Sequence, residues 1–320
     1  MARGRLIGVD LGGTNIKAVA TDELGTVIAS GSRPTRRQRG QEAVLATACS
    51  LVRSVVRLAG WNVRFDALGV GVCGLISTER GTLLASPILP DWSDVPIGPL
   101  LSDRLGVPAA VNNDANAAVY AEWMIGAAKG SRVAVGLTLG TGIGGGAVIN
   151  GRLYRGAAGL AAEFGHISVV RGGARCYCGN RGCLGRTASA TTLVDECLRL
   201  LERGVQTSLR LLYEKRGRQG VTASAIGRAA RRGDELAVKL VGDTARRIAD
   251  VVLVIVDCFN PDCVVLSGGM ARLGTLLLGP IREVIAARTF PSLAEGTSTV
   301  IGSLGARAGA IGAALLSLEQ

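Results

Sequence analysis

A strand, a glycine-rich turn and a returning strand occur once in each half of this chain, and that duplication restricts its fold more than any other feature. Near the start, Leu6-Ile7-Gly8-Val9-Asp10 leads through Leu11-Gly12-Gly13-Thr14-Asn15 into Ile16-Lys17-Ala18-Val19. Further on, Val133-Ala134-Val135-Gly136-Leu137-Thr138-Leu139 leads through Gly140-Thr141-Gly142-Ile143-Gly144-Gly145-Gly146 into Ala147-Val148-Ile149-Asn150-Gly151. Each reads as a hairpin, because the turn returns to a strand pattern instead of opening a helix. Two units of like design imply an internally duplicated chain. With 320 residues, 48% of them hydrophobic, the chain can bury a large core and fill two domains.

The remaining elements are those of an α/β protein. Gln41 to Leu58 has apolar residues at helical spacing and ends at Gly60; Ala67 to Val72 reads as a buried strand. Leu236 to Phe259 predicts a long helix stopped by Asn260-Pro261, and Cys263 to Leu266 a strand running into Ser267-Gly268-Gly269. The Ala- and Gly-rich tail, Gly305 to Leu318, reads as a close-packed helix.

Turns of this kind matter chemically, since a backbone without Cβ atoms can bring its N–H groups close to an anion. Asp10 lies at a strand end where it can hold Mg²⁺ through water, and Thr14 offers a hydroxyl to phosphate. Neither turn is a Walker loop, because no Gly-Lys-Ser/Thr follows, and neither opens a helix as a dinucleotide fingerprint does. One such hairpin is weak evidence for phosphate binding. Two, with a third Gly-Gly turn after a strand, are much stronger.

The single histidine, His166, lies in Glu163-Phe164-Gly165-His166, just before Cys176-Tyr177-Cys178-Gly179-Asn180-Arg181-Gly182-Cys183. Three thiols and an imidazole at this spacing suit a closed tetrahedral zinc site of the structural kind. The other cysteines, Cys49, Cys73, Cys197, Cys258 and Cys263, have mainly apolar neighbours, whereas the cluster sits among Gly, Asn, Arg and Tyr and needs a staple. Unrelated buried thiols are the plain alternative. A disulfide is another, but Cys-x-Cys is too tight for easy bridging and leaves an odd thiol.

Val111-Asn112-Asn113-Asp114-Ala115-Asn116 ends a strand and starts a helix. Capping is the simple account of Asn and Asp there. The functional account makes Asp114 the acceptor of a proton from a hydroxyl that attacks phosphate, with Asn113 orienting that hydroxyl.

A formal net charge of +11, from 36 Lys and Arg against 25 Asp and Glu, raises the question of nucleic acid. The basic residues fall in small groups, aromatic residues are only 3% of the chain, and no helix-turn-helix precedes the first strand, so no specific nucleic-acid partner is expected. A diffuse positive field that attracts anionic nucleotides accounts for the charge equally well. No apolar run reaches the ~20 residues of a membrane span, and with no export signal and unpaired thiols a reducing cytoplasm is expected.

Taken in order, Asp10-Leu11-Gly12-Gly13-Thr14-Asn15, Asn113-Asp114-Ala115-Asn116, Leu139 to Gly146, Glu163-Phe164-Gly165-His166, Cys176-x-Cys178-Gly179-x-x-Gly182-Cys183 and Ser267-Gly268-Gly269 resemble the ROK family of sugar kinases, repressors and open reading frames. The resemblance covers essentially the whole chain. It implies an actin-like, ribonuclease-H-like two-domain fold with ATP and sugar in the interdomain cleft. The expected small domain spans 1–115, with a C-terminal helix at about 303–320 packed back on it; the large domain spans 116–302. The resemblance makes Asp114 the general base for a sugar hydroxyl, usually O6. It gives sugar contacts to Asn113, Glu163, His166 and Gly74, and metal-ligand roles to His166, Cys176, Cys178 and Cys183. Phosphate and nucleotide contacts fall to Asp10, Gly12, Gly13, Thr14, Gly140, Thr141 and Gly142, with Gly268 and Gly269 lining the adenosine site. ATP, Mg²⁺ and Zn²⁺ are the implied cofactors, and a homodimer or homotetramer the implied assembly.

Two positions depart from the family pattern. Gly185 stands where sugar kinases of the family typically carry Glu, and Ile88 where a polar Asn is common. Gly185 leaves room for a substituted sugar, or Arg186 supplies a replacement contact, or catalysis is lost and a sugar sensor remains. Glucose itself is also compatible, because one hydrogen bond to a neutral hydroxyl is worth only about 0.5–1.5 kcal/mol.

Overall fold

The computed structural model describes residues 4–62 and 64–319. In chain order it runs β1 (Leu6–Leu11), β2 (Asn15–Thr21), β3 (Val27–Pro34), α1 (Gly40–Leu58), β4 (Ala67–Val72), the short strands β5 (Leu75–Ser77), β6 (Thr82–Ala85) and β7 (Ser93–Val95), α2 (Ile97–Leu105), β8 (Ala109–Asn113) and α3 (Asp114–Met124). There follow β9 (Val133–Leu139), β10 (Ile143–Ile149), β11 (Arg152–Leu153), α4 (Leu184–Thr187), α5 (Ala190–Glu202), α6 (Arg210–Arg216), α7 (Ala223–Arg231) and α8 (Glu235–Phe259). The chain closes with β12 (Cys263–Ser267), α9 (Thr275–Arg288), α10 (Pro291–Gly296), β13 (Ser298–Ile301) and α11 (Ala308–Leu316).

The duplication read from the glycine turns is a duplication of sheet topology. One five-stranded sheet has the order β3-β2-β1-β4-β8 and the other β11-β10-β9-β12-β13. In the first, β1 pairs antiparallel with β2 and parallel with β4, which pairs parallel with β8. In the second, β9 and β12 pair parallel, as do β12 and β13, while β10 and β11 are antiparallel. A small antiparallel sheet, β5-β6-β7, follows β4.

The residues divide into two compact units. The first takes the chain up to Gly130, Gly146–Ala162 and the chain from Leu304; the second takes Ser131–Gly145 and Glu163–Ser303. The first unit therefore extends past residue 115, and the reason lies in α3 and α11. Placing a Cβ on Gly312 of α11 would put it 1.7 Å from the Ala117 carbonyl oxygen of α3. A Cβ on Gly8 of β1 would lie 1.8 Å from the Ala310 oxygen, and one on Gly69 of β4 1.7 Å from the Ala313 oxygen. Backbone-to-backbone contact at these positions explains the Ala and Gly content of the tail. That helix begins at Ala308, after one 3₁₀ turn over Gly305–Arg307.

Against β2 and β3, α1 buries Val44, Leu45, Ala48, Leu51, Val52, Val55 and Val56. Each fully buried aliphatic side chain of this kind contributes roughly 1.5–3 kcal/mol. In the second unit the long helix α8 starts at the cap Asp234, whose carboxylate accepts the Ala237 N–H at 2.9 Å. It stops where Asn260 turns left-handed, φ 42°, before Pro261. The returning strand of the second hairpin starts at Ile143, earlier than the glycine run suggests. Its glycines are strand residues, and at Gly146 another chain segment crosses closely: a Cβ there would lie 3.1 Å from the Cα of Asn116. Among the described residues no helix is long and apolar enough to cross a membrane.

Candidate active site

The first glycine turn sits between β1 and β2, whose register sets Asp10 opposite Lys17. Lys17 Nζ donates to Asp10 Oδ2 at 2.9 Å, so one carboxylate oxygen of this largely buried residue is held by a cation of the same hairpin. The turn is braced from just past the end of β3, where the buried Thr35 donates its hydroxyl to the Gly12 carbonyl at 2.5 Å and its N–H to the Thr14 carbonyl at 2.9 Å. Thr14 itself is exposed. Ile88 packs on the other side, within 3.3 Å of where a Gly13 Cβ would lie, and against the first unit's core. The apolar residue at 88 thus serves packing of the turn.

At the end of β8, Asn113 and not Asp114 caps α3. The Asn113 Oδ1 accepts the N–H groups of Ala115 at 2.9 Å and Asn116 at 3.1 Å, and its Nδ2 donates to the Gly74 carbonyl at 3.1 Å. These bonds use one of the two Nδ2 hydrogens. Asp114 is the first helical residue, its Oδ1 accepting the N–H of Ala115 at 2.9 Å. The capping and functional accounts are therefore distributed over neighbouring residues. Gly74 is required by conformation, with φ 143° and a Cβ position only 2.2 Å from the Ala85 carbonyl oxygen. Flanking Asp114, the buried Asn112 Nδ2 and Asn116 Oδ1 find no protein partner among the described residues, a pattern that ordered water satisfies.

In the second unit, Gly140 N–H bonds to the Gly142 carbonyl at 2.9 Å and its own carbonyl accepts the Ala190 N–H at 2.9 Å. The exposed edge of this turn is open: a Cβ on Gly142 would meet nothing within 4 Å. Thr191 Oγ1 holds the Thr141 carbonyl at 2.9 Å. Beside it lies a pocket of about 320 Å³, walled by Ala190, Val194, Val221 and Ala223 with Thr141, Thr191, Thr222 and Asp195 at its polar side. The first turns of α5 and α7 thus contribute pocket residues that sequence reading did not single out. Gly268 approaches the same turn from the end of β12, where its φ of 88° and the Leu139 carbonyl leave no room for a Cβ, whereas a Cβ on Gly269 would meet nothing within 4 Å.

The cysteine cluster forms a cage. Among the described residues, His166, Cys176, Cys178 and Cys183 present ligand atoms all within 4.8 Å of one another. Cys178 Sγ lies 3.7 Å from Cys183 Sγ, and Cys176 Sγ lies 3.5 Å from His166 Nδ1. A tetrahedral zinc with ~2.3 Å bonds to sulfur and ~2.05 Å to nitrogen requires about 3.8 Å between sulfurs and about 3.6 Å from sulfur to nitrogen. The donor set fits the ion. Local chain geometry is fixed by glycine at Gly179 and Gly182, φ 93° and 71°, and a Cβ on Gly182 would strike the Val170 oxygen. Burial pushes the Cys183 thiol up to about 12, with the neighbouring sulfurs adding to it; a coordinated cation reverses that balance by stabilising the thiolate. Burial raises Glu163 and lowers His166, favouring the neutral form of each. Gly185 follows in α4, where a Cβ would be at 3.4 Å from the Gly165 carbonyl oxygen, an ordinary contact. Packing does not demand glycine at that position.

These site groups, a braced glycine turn in each repeat with the Asn113-Asp114 helix start and the Cys/His cage, run in an order that the ROK family pattern matches over residues 6–320. The chain belongs to the ROK family. The glucokinase of Thermotoga maritima is 36% identical to this ROK chain over 322 residues, covering 100% of this chain and 99% of the relative. A ROK family glucokinase from Streptomyces griseus, solved with glucose and AMPPNP, superposes with TM-score 0.84 at 33% identity, covering 99% of this chain and 100% of that one. A ROK hexokinase from Thermus thermophilus matches with TM-score 0.78 at 32% identity and 98% coverage of both chains. The two like-ordered sheets are accordingly those of the actin-like ATPase fold.

Proposed function

We propose that this ROK protein is an ATP-dependent sugar kinase that transfers the γ-phosphoryl group to a hexose hydroxyl, by the family pattern the 6-hydroxyl. The observation that carries the reading is the division of labour at the start of α3. Asn113 holds the N-cap of α3, and Asp114 follows as the first helical residue with its carboxylate at the helix N-terminus, Oδ1 accepting the Ala115 N–H, which is where this reading places the base. End-to-end likeness to glucokinases supports it. A catalytically inactive sugar sensor is not favoured.

In this reading Asp114 accepts the proton of the attacking hydroxyl as the sugar O–P bond forms and the bond from γ-phosphorus to its bridging oxygen breaks, releasing ADP. Gly12, Gly13, Thr14, Gly140, Thr141 and Gly142 offer N–H groups and hydroxyls to the phosphates. The pocket beside Thr141 takes the adenosine end, with Gly268 and Gly269 closing it. Asp10, whose Oδ2 is already paired with Lys17, would hold Mg²⁺, and the ion would supply charge neutralisation to the phosphates. Gly74, Asn113, Glu163 and His166 position the sugar. His166, Cys176, Cys178 and Cys183 hold Zn²⁺, which supplies structural cross-linking of the loop that presents Glu163 and His166. Gly185 leaves space for a substituent, so amino and deoxy hexoses are substrates to test beside glucose. A cytoplasmic homodimer or homotetramer completes the proposal, with solution mass as its check.

The test is a coupled assay of ADP formation with ATP-Mg²⁺ against glucose, mannose, amino hexoses and deoxy hexoses. Saturable turnover on at least one is expected. No turnover on any of them, with zinc confirmed in the protein, would overturn the reading.

A further inference from the structure

Tyr177 stands between two sulfur ligands in sequence, and the proposed chemistry makes no use of it. Its side chain is 68% exposed, yet its hydroxyl oxygen lies 2.9 Å from Nε2 of His166. The two rings meet edge to face, with centroids 5.0 Å apart and planes at 87°. Nδ1 of the same imidazole faces the sulfurs, 3.5 Å from Cys176 Sγ. A neutral imidazole has one N–H, and a nitrogen that ligates a metal must be the bare one. Since Nδ1 is on the metal side, the proton belongs on Nε2, and Tyr177 Oη is placed to accept it. The carboxylate of Glu163 is 3.8 Å from Nε2, beyond hydrogen-bond reach.

We propose that Tyr177 is a positioning residue: it holds His166 in the tautomer that zinc requires while no sugar is bound, and a sugar hydroxyl takes over that hydrogen bond on binding. The second half rests on the sugar-kinase reading, which turns Nε2 of His166 toward substrate. A metal-bound histidine deprived of the partner on its other nitrogen loses both ring orientation and basicity. An exposed tyrosine is suited to a temporary role, because a surface side chain changes rotamer rapidly and its hydroxyl is rehydrated when it leaves. Sugar and Tyr177 then compete for one N–H. Removing the tyrosine hydroxyl should weaken zinc retention in sugar-free protein and tighten sugar binding, two effects of opposite sign that a general loosening of the loop would not produce.

The experiment follows zinc release from zinc-loaded protein to the chromogenic chelator 4-(2-pyridylazo)resorcinol, without ATP, for the parent and Tyr177→Phe, each with and without saturating glucose. Without glucose, Tyr177→Phe is expected to release zinc about tenfold faster than the parent. Glucose should return its rate to the parent's, and the KM for glucose should fall about two- to fivefold with kcat unchanged, the scale of one hydrogen bond. Phenylalanine at an exposed site keeps the fold, and equal melting temperatures of the zinc-loaded proteins check that. Equal release rates without glucose would overturn the tautomer role. Faster release that glucose does not slow, at a concentration that saturates turnover, would overturn the handover. If neither protein phosphorylates any hexose, the sugar-kinase reading fails and takes the handover with it, while the glucose-free comparison still decides the role of Tyr177 at the metal.

Discussion

Replacing Asn113 tests the link between helix capping and catalysis directly. Asn113→Ala removes the Oδ1 acceptor used by Ala115 and Asn116 and the Nδ2 donor to Gly74. Loss of an N-cap costs about 1 kcal/mol, and loss of the bond to the Gly74 carbonyl about another 1 kcal/mol. For a unit of this size, ~2 kcal/mol lowers the melting temperature by roughly 4–8 °C. Asn113→Ser keeps a capping oxygen and loses only the Gly74 donor, so about half that shift is expected. Because Asp114 is the next residue, the frayed first turn of α3 should also move the base, and a misplacement near 1 Å costs about 10²-fold in rate. Differential scanning calorimetry and the ADP-forming assay read the two effects. The reasoning is refuted if Asn113→Ala melts with the parent, or if alanine and serine variants are equally destabilised.

Removing zinc should unfold the loop from His166 to Cys183 while sparing the sheets, because that loop has few apolar contacts of its own and structural zinc sites supply folding energy outright. Hydrogen exchange after chelation should show lost protection at Cys176 and Leu184 N–H, now bonded to the Asn180 and Ile167 carbonyls, with β1 and β4 unchanged; retained protection would count against a structural metal. A second expectation concerns acid stability. Burial alone would raise the Asp234 carboxyl, but N–H groups of Ala237 and Ser208 and hydroxyls of Ser208 and Thr207 hold it below its ordinary 3.8. A depressed folded pKa gives stability that is present above 3.8 and lost as pH falls below it. Asp234→Asn should therefore flatten the acid limb of a stability-pH curve below about pH 4, measured by urea unfolding; an unaltered limb would contradict this.

Much of this architecture was legible because glycine and periodicity report local constraints. The paired turns, α1, β4 and α8 follow from residues that interact with near neighbours in sequence. What pattern reading missed depends on long-range approach. Gly144 to Gly146 looked like turn residues, yet they lie in β10, and at Gly146 the missing Cβ answers to α3 crossing at Asn116. Lys17 was visible only as a strand residue until register set it against Asp10. Thr35, separated from Gly12 by two strands, carried no local signal for its brace on the first turn. The pocket beside Thr141 is assembled from the starts of α5 and α7, which no spacing rule brings together. The Cys/His cage was the opposite case: nearby candidate ligands with characteristic chemistry are readable before any fold is known, and their distances fit those a zinc ion requires.

Asp114 as general base is the central chemical claim, and the substitution Asp114→Asn tests it most directly. The asparagine keeps size and helix position but cannot accept the hydroxyl proton. With zinc-loaded protein, ATP-Mg²⁺ and the best sugar from the panel, kcat should fall by about 10²–10⁴-fold, while nucleotide binding by calorimetry stays within about twofold of the parent, since no phosphate contact is removed. A variant that binds nucleotide normally and still turns over at a rate near the parent's would contradict the account.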